Sequence, residues 1–554
     1  MSQPPERVRE KAARPLCCRG VVATALALGL ALPLCPASGQ EAGDQPLADK
    51  NARVERLGLH DANAYEDLVA GEGGSHLAQV VNRGGKESVV LNGRSGRRYD
   101  RIRGLCFSPG GNHLAYIAWN GDRKFVVLDG RAGPEYEDVS VLSFSPDGRR
   151  LAYYARAEGK QCVVLDGRPG PAFARVSSFV FSRDGNHVAH SARSGAKWFV
   201  LVDGRPGPKF DSAREPVFSP DGRHLAYIAG RDGKSMLVLD GRAGPLYDWV
   251  QPPPVFSPDG QHLAYCAKDG NKEFVVLDGN EGPKYDHTMW LKFSPDSRRL
   301  AYRVIDRDFS FIVVDGNEGP KYADVEWPHF SAGGKRFAYE GLSRRGWHMV
   351  VDGRPGQACD KVMGPLFSPD GTRSAYLGVR DKVAFMVLDG NAHPPYQWHG
   401  VPVFSADSEH VAHRGRLGLA WFMVVDGEAG PPYDALTLPF FSPDSTRLLY
   451  GAGRKGKMFV VVNGREQPKF DKVLILADKA GRDKWTGPLF SADSRVVAYV
   501  ARLGEKWTMV VGGRIGPKMD RIIRESIFLH ADDTLEYLAI KGGTLYRVKQ
   551  KLKE

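Results

Sequence analysis

One pattern recurs along this chain at a spacing regular enough to fix its architecture. The string Phe-Ser-Pro-Asp-Gly, or a close variant, begins at Phe107, Phe144, Phe181, Phe218, Phe256, Phe293, Phe330, Phe367, Phe404, Phe441 and Phe490. The interval is 37 residues, with one of 38 and one of 49. A degenerate copy starts near Ala70 and a truncated one at Phe528. An Asp-Gly, Asn-Gly or Gly-Gly pair begins 22 residues after each start, from Asn92 and Asp129 through to Gly512. Seven residues later comes an aromatic, as at Tyr99, Tyr136, Phe173 and Phe210, with Cys359 and Met519 in that slot in two copies. Periods of this length signal repeat architectures in which each unit is one supersecondary element.

Each unit reads as four short strands. The first ends in Phe-Ser, and Pro-Asp-Gly then turns the chain, because Pro presets φ and Gly accepts a positive one. The second is of the Leu-Ala-Tyr type and the third of the Phe-Val-Val-Leu type, closed by the Asp-Gly turn. The fourth carries the aromatic. No helical periodicity appears. The third strand is decisive: it is apolar without alternation, so both faces of its sheet are covered. A four-stranded sheet covered on both faces by copies of itself is a propeller blade. The expected fold class is therefore all-β: β-propeller repeats of four-stranded antiparallel blades.

The C-terminal copy supplies three strands and stops, while Asn63 to Val69 reads as a fourth strand without partners, so that the two ends complete one blade. The count is then about 13 blades. Rings hold about four to eight blades, so the expectation is two rings, six plus seven, with residues 63–305 in the first and 306–554 in the second and the crossing between 281 and 330. An insertion is expected near Ala477 to Thr486.

The first 39 residues differ. Arg7, Arg9, Lys11, Arg14 and Arg19 precede an apolar run from Val21 to Leu34, and Ala37 and Gly39 supply a small-residue cleavage site before Gln40. This is the pattern of a secretory signal peptide, followed by a linker over 40–62. No later stretch could span a membrane as a helix. The expected location is periplasmic or secreted, in a bacterial setting. The formal charge of +11 loses three with the signal, leaving +8. Export argues against a nucleic-acid partner, and a mildly basic surface suits an envelope or extracellular protein, or an anionic glycan. Cys106, Cys162, Cys266 and Cys359 remain, at no metal-ligand spacing, and each stands for an apolar residue in a strand.

The Phe-Ser-Pro-Asp-Gly-x-x-Leu-Ala-Tyr string, clearest at Phe144 to Gly148 with Leu151, Ala152 and Tyr153 and at Phe218 to Gly222 with Leu225, Ala226 and Tyr227, resembles the repeat of TolB-like, WD-repeat-like β-propellers. That resemblance implies a propeller over nearly all of the mature chain and a binding face around the channel mouth. The motif differs from the sialidase Asp-box, which spaces its Asp and Gly by one residue and adds a Trp.

No catalytic, metal or cofactor constellation is visible: there is no nucleophile elbow, phosphate loop, paired Cys-x-x-Cys or His-Glu-x-x-His motif. His187/His190 and His410/His413 are three apart on strands and so point to opposite faces. The repeated turn Asp residues are expected to serve local hydrogen bonds. Candidate binding residues are those that vary between copies in the segments joining fourth strand to first: Trp249, Trp290, Trp327, Trp398, His329, His399 and Arg214. The loops joining second and third strands are basic, with Lys197, Lys234 and Lys457 among them. The expected function is a non-catalytic scaffold binding a protein or glycan. The alternative, a lyase acting on an acidic polysaccharide, requires the His, Arg and Trp side chains to converge. Expression with export is expected to yield a mature chain beginning at Gln40 by intact mass; a chain retaining residues 1–39 would contradict the signal reading.

Overall fold

The computed structural model describes residues 52–59, 69–71, 76–474 and 488–552. The signal region, most of Asn63 to Val69 and the Ala477 to Thr486 insertion lie outside the described residues. Within them there is strand and turn but no helix, and hence no helix long and apolar enough to cross a membrane.

Thirteen antiparallel sheets follow one another in chain order. In the third blade the strands are Asp138–Phe144, Leu151–Ala157, Lys160–Leu165 and Arg168–Pro169, hydrogen-bonded in that order. The fourth strand is short, two paired residues and then an isolated bridge from Gln161 to Phe173. The aromatic slot is thus where the blade's outer edge re-engages. The third strands behave as their composition demands. In Arg123–Leu128, Phe125 and Val127 pack toward the preceding blade while Val126 packs toward the next. Each blade is buried on both faces.

The turns are held by side chains of the motif itself. Ser145 donates to Asp147 at 2.5 Å, and the amide of Arg150 donates back to the Ser145 hydroxyl at 3.0 Å. A Cβ on Gly148 would stand 2.5 Å from the carbonyl oxygen of Pro109 in the preceding blade, so the glycine permits the blades to approach. At the second turn Asp129 and Gly130 both take positive φ, 49° and 78°, as a two-residue hairpin of right-handed strands requires. The Asp129 carboxylate accepts the Leu114 amide at 2.9 Å and pairs with His113 at 2.7 Å. The turn aspartates are therefore structural.

A third aspartate staples neighbouring blades. Asp100 ends the first blade, pairs with Lys86 of that blade at 2.8 Å and caps the Gly121 amide in the next at 2.7 Å. Asp211, Asp286 and Asp471 repeat this with Lys197, Lys272 and Lys457. The basic character of these loops is thus partly spent on ion pairs within the fold.

Two expectations are corrected. The blades form one ring rather than six plus seven. A buried cluster joins every successive pair, including those across the expected crossing at 281–330, and Leu77 of the first blade packs on Ile523, Leu538, Ile540 and Leu545 of the last. Repeat length does not encode the angle between blades, and that angle decides when a ring closes. The closing strand is also different: Ala52–Leu59, inside the expected 40–62 linker, pairs antiparallel with Thr544–Lys551 and completes the thirteenth blade. The sequence Arg-Val-Glu-Arg-Leu lacks the repeat landmarks, so only its pairing reveals it.

Removing residues 52–59 leaves Thr544–Lys551 as an unpaired edge and is expected to lower the melting temperature and promote association. An unchanged melting curve would contradict closure by this strand. By comparison, Tyr227→Ala, at a side chain 2% exposed, is expected to cost about 3–5 kcal/mol in denaturant unfolding.

Candidate functional site

First strands of neighbouring blades touch, as Arg175–Phe181 touches Ser212–Phe218, and so it is the first strands that line the hub. These strands are bulged. Register shifts fall between Arg103 and Cys106, Ser140 and Ser143, Arg214 and Val217, Met289 and Lys292, and Met363 and Leu366. The residue three before each motif start sits at the bulge and turns left-handed: Gly104, Val141, Glu215, Trp290 and Gly364 have φ of 68°, 53°, 55°, 61° and 48°. The residues read as joining loops therefore lie in or against the first strands.

Trp290 and Trp327 stand at the same place in the repeat in successive blades, Trp290 alone of the two with a positive φ. Their rings stack at 4.7 Å with 13° between planes. Arg303, from the second strand behind Trp290, lies over its ring at 4.6 Å and pairs with Asp324 at 2.5 Å. Lys292 donates to the Pro328 carbonyl at 3.3 Å, reaching across the same interface. His329, two residues beyond Trp327, is exposed by area but crowded by neighbouring atoms, and that crowding together with Lys292 lowers its pKa. Glu340, half-buried on the next second strand, accepts the Gly364 amide at 3.1 Å, and burial raises its pKa. Trp327 remains 46% exposed.

A left-handed tryptophan is unfavourable. Such a conformation persists where surroundings over-determine it, and it is a reason to look for function.

A second group forms in the tenth blade. Trp398 meets Trp421 edge-on at 5.1 Å, and Arg414 lies over both rings at 5.0 and 5.5 Å. Its chain neighbour His399 faces the other side of the strand and stacks on His413, with their Nδ1 atoms 3.3 Å apart. One ring must donate and the other accept. Burial pushes His399 down to about 4 and His413 to about 3, so both are neutral near pH 7.

The fold is that of the β-propellers.

No family model matches the chain, and no curated protein matches it. Solved structures similar to it include TolB from Acinetobacter baumannii, with 17% identity over 42% of this chain and 62% of that one at a TM-score of 0.21. The β-propeller domain of the Trilobed protease from Pyrococcus furiosus shares 14% identity over 54% of this chain and 97% of that one, TM-score 0.23. A eukaryotic initiation factor structure shares 12% over 65% and 96%, TM-score 0.29.

Of the residues singled out in the sequence, the fold brings Trp290, Trp327 and His329 to one place. Trp398 and His399 belong to a separate blade and to opposite faces of it. Trp249, 38% exposed, pairs across its strand with Lys268, and Arg214, also exposed, with Ile228. The set as a whole does not gather at one place: Trp249, Arg214, Trp398 and His399 lie on other blades than Trp290, Trp327 and His329. Arg303, Glu340 and Arg414 were missed. Their signal is visible on aligning the copies: ten residues after the motif start, Ile117, Tyr154, Ile228, Cys266 and Leu377 occupy the slot that these charged residues take. Among the described residues no three potential metal ligands cluster.

The pH dependence follows from burial. His190 is also pushed down by burial, to about 4, whereas an unfolded histidine titrates near 6.5. Between these values the unfolded chain binds protons that the folded chain does not, so stability is present above about pH 6.5 and is lost as pH falls toward 4. The stapling aspartates, held low chiefly by their lysine partners, add a further loss only below about pH 4. Urea midpoints are expected to fall steadily from pH 7.5 to 4.5; a flat profile over that range would contradict neutral buried histidines.

Proposed function

We propose that this chain is an exported, non-catalytic propeller that binds a glycan at the hub through the Trp290–Trp327 shelf. The observation that carries this reading is the indole stack itself, held by a left-handed Trp290 and backed by Arg303, with Trp327 46% exposed. A flat aromatic surface suits the apolar face of a sugar ring. Lys292, Arg303 and Asp324 place donors and acceptors beside it, as hydroxyl groups demand, and the net charge of +8 left once the signal is removed favours an acidic sugar. The signal pattern at residues 1–39 supports a periplasmic or extracellular setting, where envelope glycans are found.

A protein partner is the second reading, favoured by apolar side chains at or beside the same bulge in other blades. Val141, Met363 and Val401 are 50%, 38% and 55% exposed, and exposed apolar surface around a polar site is a mark of protein contact.

The test is capture by the immobilised mature chain, from Gln40, against a glycan array and an envelope extract. Trp290→Ala combined with Trp327→Ala is expected to weaken capture roughly thirtyfold, the scale of an aromatic hot spot. Undiminished capture by the folded double variant would move the site elsewhere.

A further inference from the structure

Nine residues after the motif start the second strand carries a tyrosine in ten of the thirteen copies, as at Tyr116, Tyr153, Tyr227, Tyr302 and Tyr339, while the first copy has Gln79. In several blades its hydroxyl reaches across the blade interface to the glycine that follows the short fourth strand of the preceding blade. The Tyr153 hydroxyl lies 3.8 Å from where a Cβ on Gly133 would stand, that of Tyr227 3.8 Å from Gly207, and that of Tyr339 3.3 Å from Gly319. The tyrosine and the glycine fill one slot between them.

Two blades replace the tyrosine with histidine, at His190 and His413. At His413 the loss is made up: the partner glycine of the preceding blade is replaced by His393, so side chain is added on one side where it is removed on the other. At His190 nothing compensates. Gly170 stays glycine, so no side chain is added opposite the shorter His190. The cleft left between these blades measures 610 Å³, against 340 and 440 Å³ for those lined by Tyr227 and Tyr302. Phe173, whose counterparts Tyr136 and Phe210 are buried, is only half-buried.

The cleft is lined by Val163, Leu165 and Val188 together with the charged Arg150, Arg168 and Asp203. At its inner end His190 is 5% exposed, and neither ring nitrogen has a hydrogen-bond partner. A buried polar group without a partner is costly, and a neutral imidazole offers one donor and one acceptor. A cleft that joins apolar walls to a few polar groups, one of them buried and unmet, is the make-up of a small-molecule site.

We infer that this cleft binds a small phenol, whose ring takes the place of the missing tyrosine ring and whose hydroxyl pairs with His190. The site lies between the third and fourth blades, away from the Trp290–Trp327 shelf, and does not depend on it.

Calorimetric titration of the mature chain at pH 7.5 with p-cresol, and with toluene as the probe lacking the hydroxyl, tests the assignment. One saturable site is expected, about tenfold tighter for p-cresol, because toluene leaves His190 unpaired. His190→Tyr restores the side chain of the other blades, and Gly170→His copies the arrangement at His393. Each is expected to abolish p-cresol binding, and should Gly170→His not fold, His190→Tyr alone decides. Absence of saturable p-cresol binding, equal affinity for toluene, or unchanged affinity in folded His190→Tyr would overturn the inference.

Discussion

Everything in this structure rests on the burial of each blade's two faces by its neighbours. A four-stranded sheet whose third strand is apolar on both sides cannot be stable alone, because half of its side chains would face water whichever way it turned. The buried clusters that join successive blades, with Phe125 and Val127 facing one way and Val126 the other, recur around the ring. They bury large side chains outright, Tyr153, Phe210 and Phe274 among them, and each such side chain is worth several times a surface ion pair. The aspartate staples and turn networks therefore set geometry, while apolar burial supplies the cohesion. Closure matters for the same reason: without the Ala52–Leu59 strand the last blade would present a bare edge.

Once the repeat has fixed the scaffold, function can reside only where a copy departs from it. The departures are few and local. At the hub bulge, a position glycine takes in two blades holds Trp290 in a left-handed conformation, and Trp327 follows it in the next blade. In the second strand, a slot that is Ile117 or Leu377 elsewhere becomes Arg303, Glu340 or Arg414, and the two arginines sit over indoles. One register earlier, tyrosine becomes histidine twice, filled in by His393 in one case and left open at Gly170 in the other. The repeat thus provides its own reference state: what a side chain does in one blade is measured against the same slot in the others.

The blade, its strand order, the number of copies and the structural role of the turn aspartates were legible in the sequence, because they follow from local patterns: the interval between Phe-Ser motifs, the unbroken apolar third strand, the Asp-Gly pairs. The number of rings was not, because the angle between blades is a property of packing summed over the circle and leaves no trace in a period of 37. The closing strand was not, because Ala52–Leu59 is defined by its partner Thr544–Lys551 rather than by repeat landmarks. For the candidate site, Trp290, Trp327 and His329 were visible as variable residues near the first strand, and their neighbourhood was not. Trp398 and His399 look equivalent in sequence, yet strand alternation sends one to Trp421 and the other to His413.

The measurement that bears most directly on this account is electron-microscopic imaging of single particles of the mature chain, averaged down the ring axis. A single ring of thirteen blades around one hub is the predicted result, with the Trp290 and Trp327 blades adjacent on its inner wall. Two smaller rings joined by a crossing segment would contradict it, and would remove the continuous hub on which the binding reading depends.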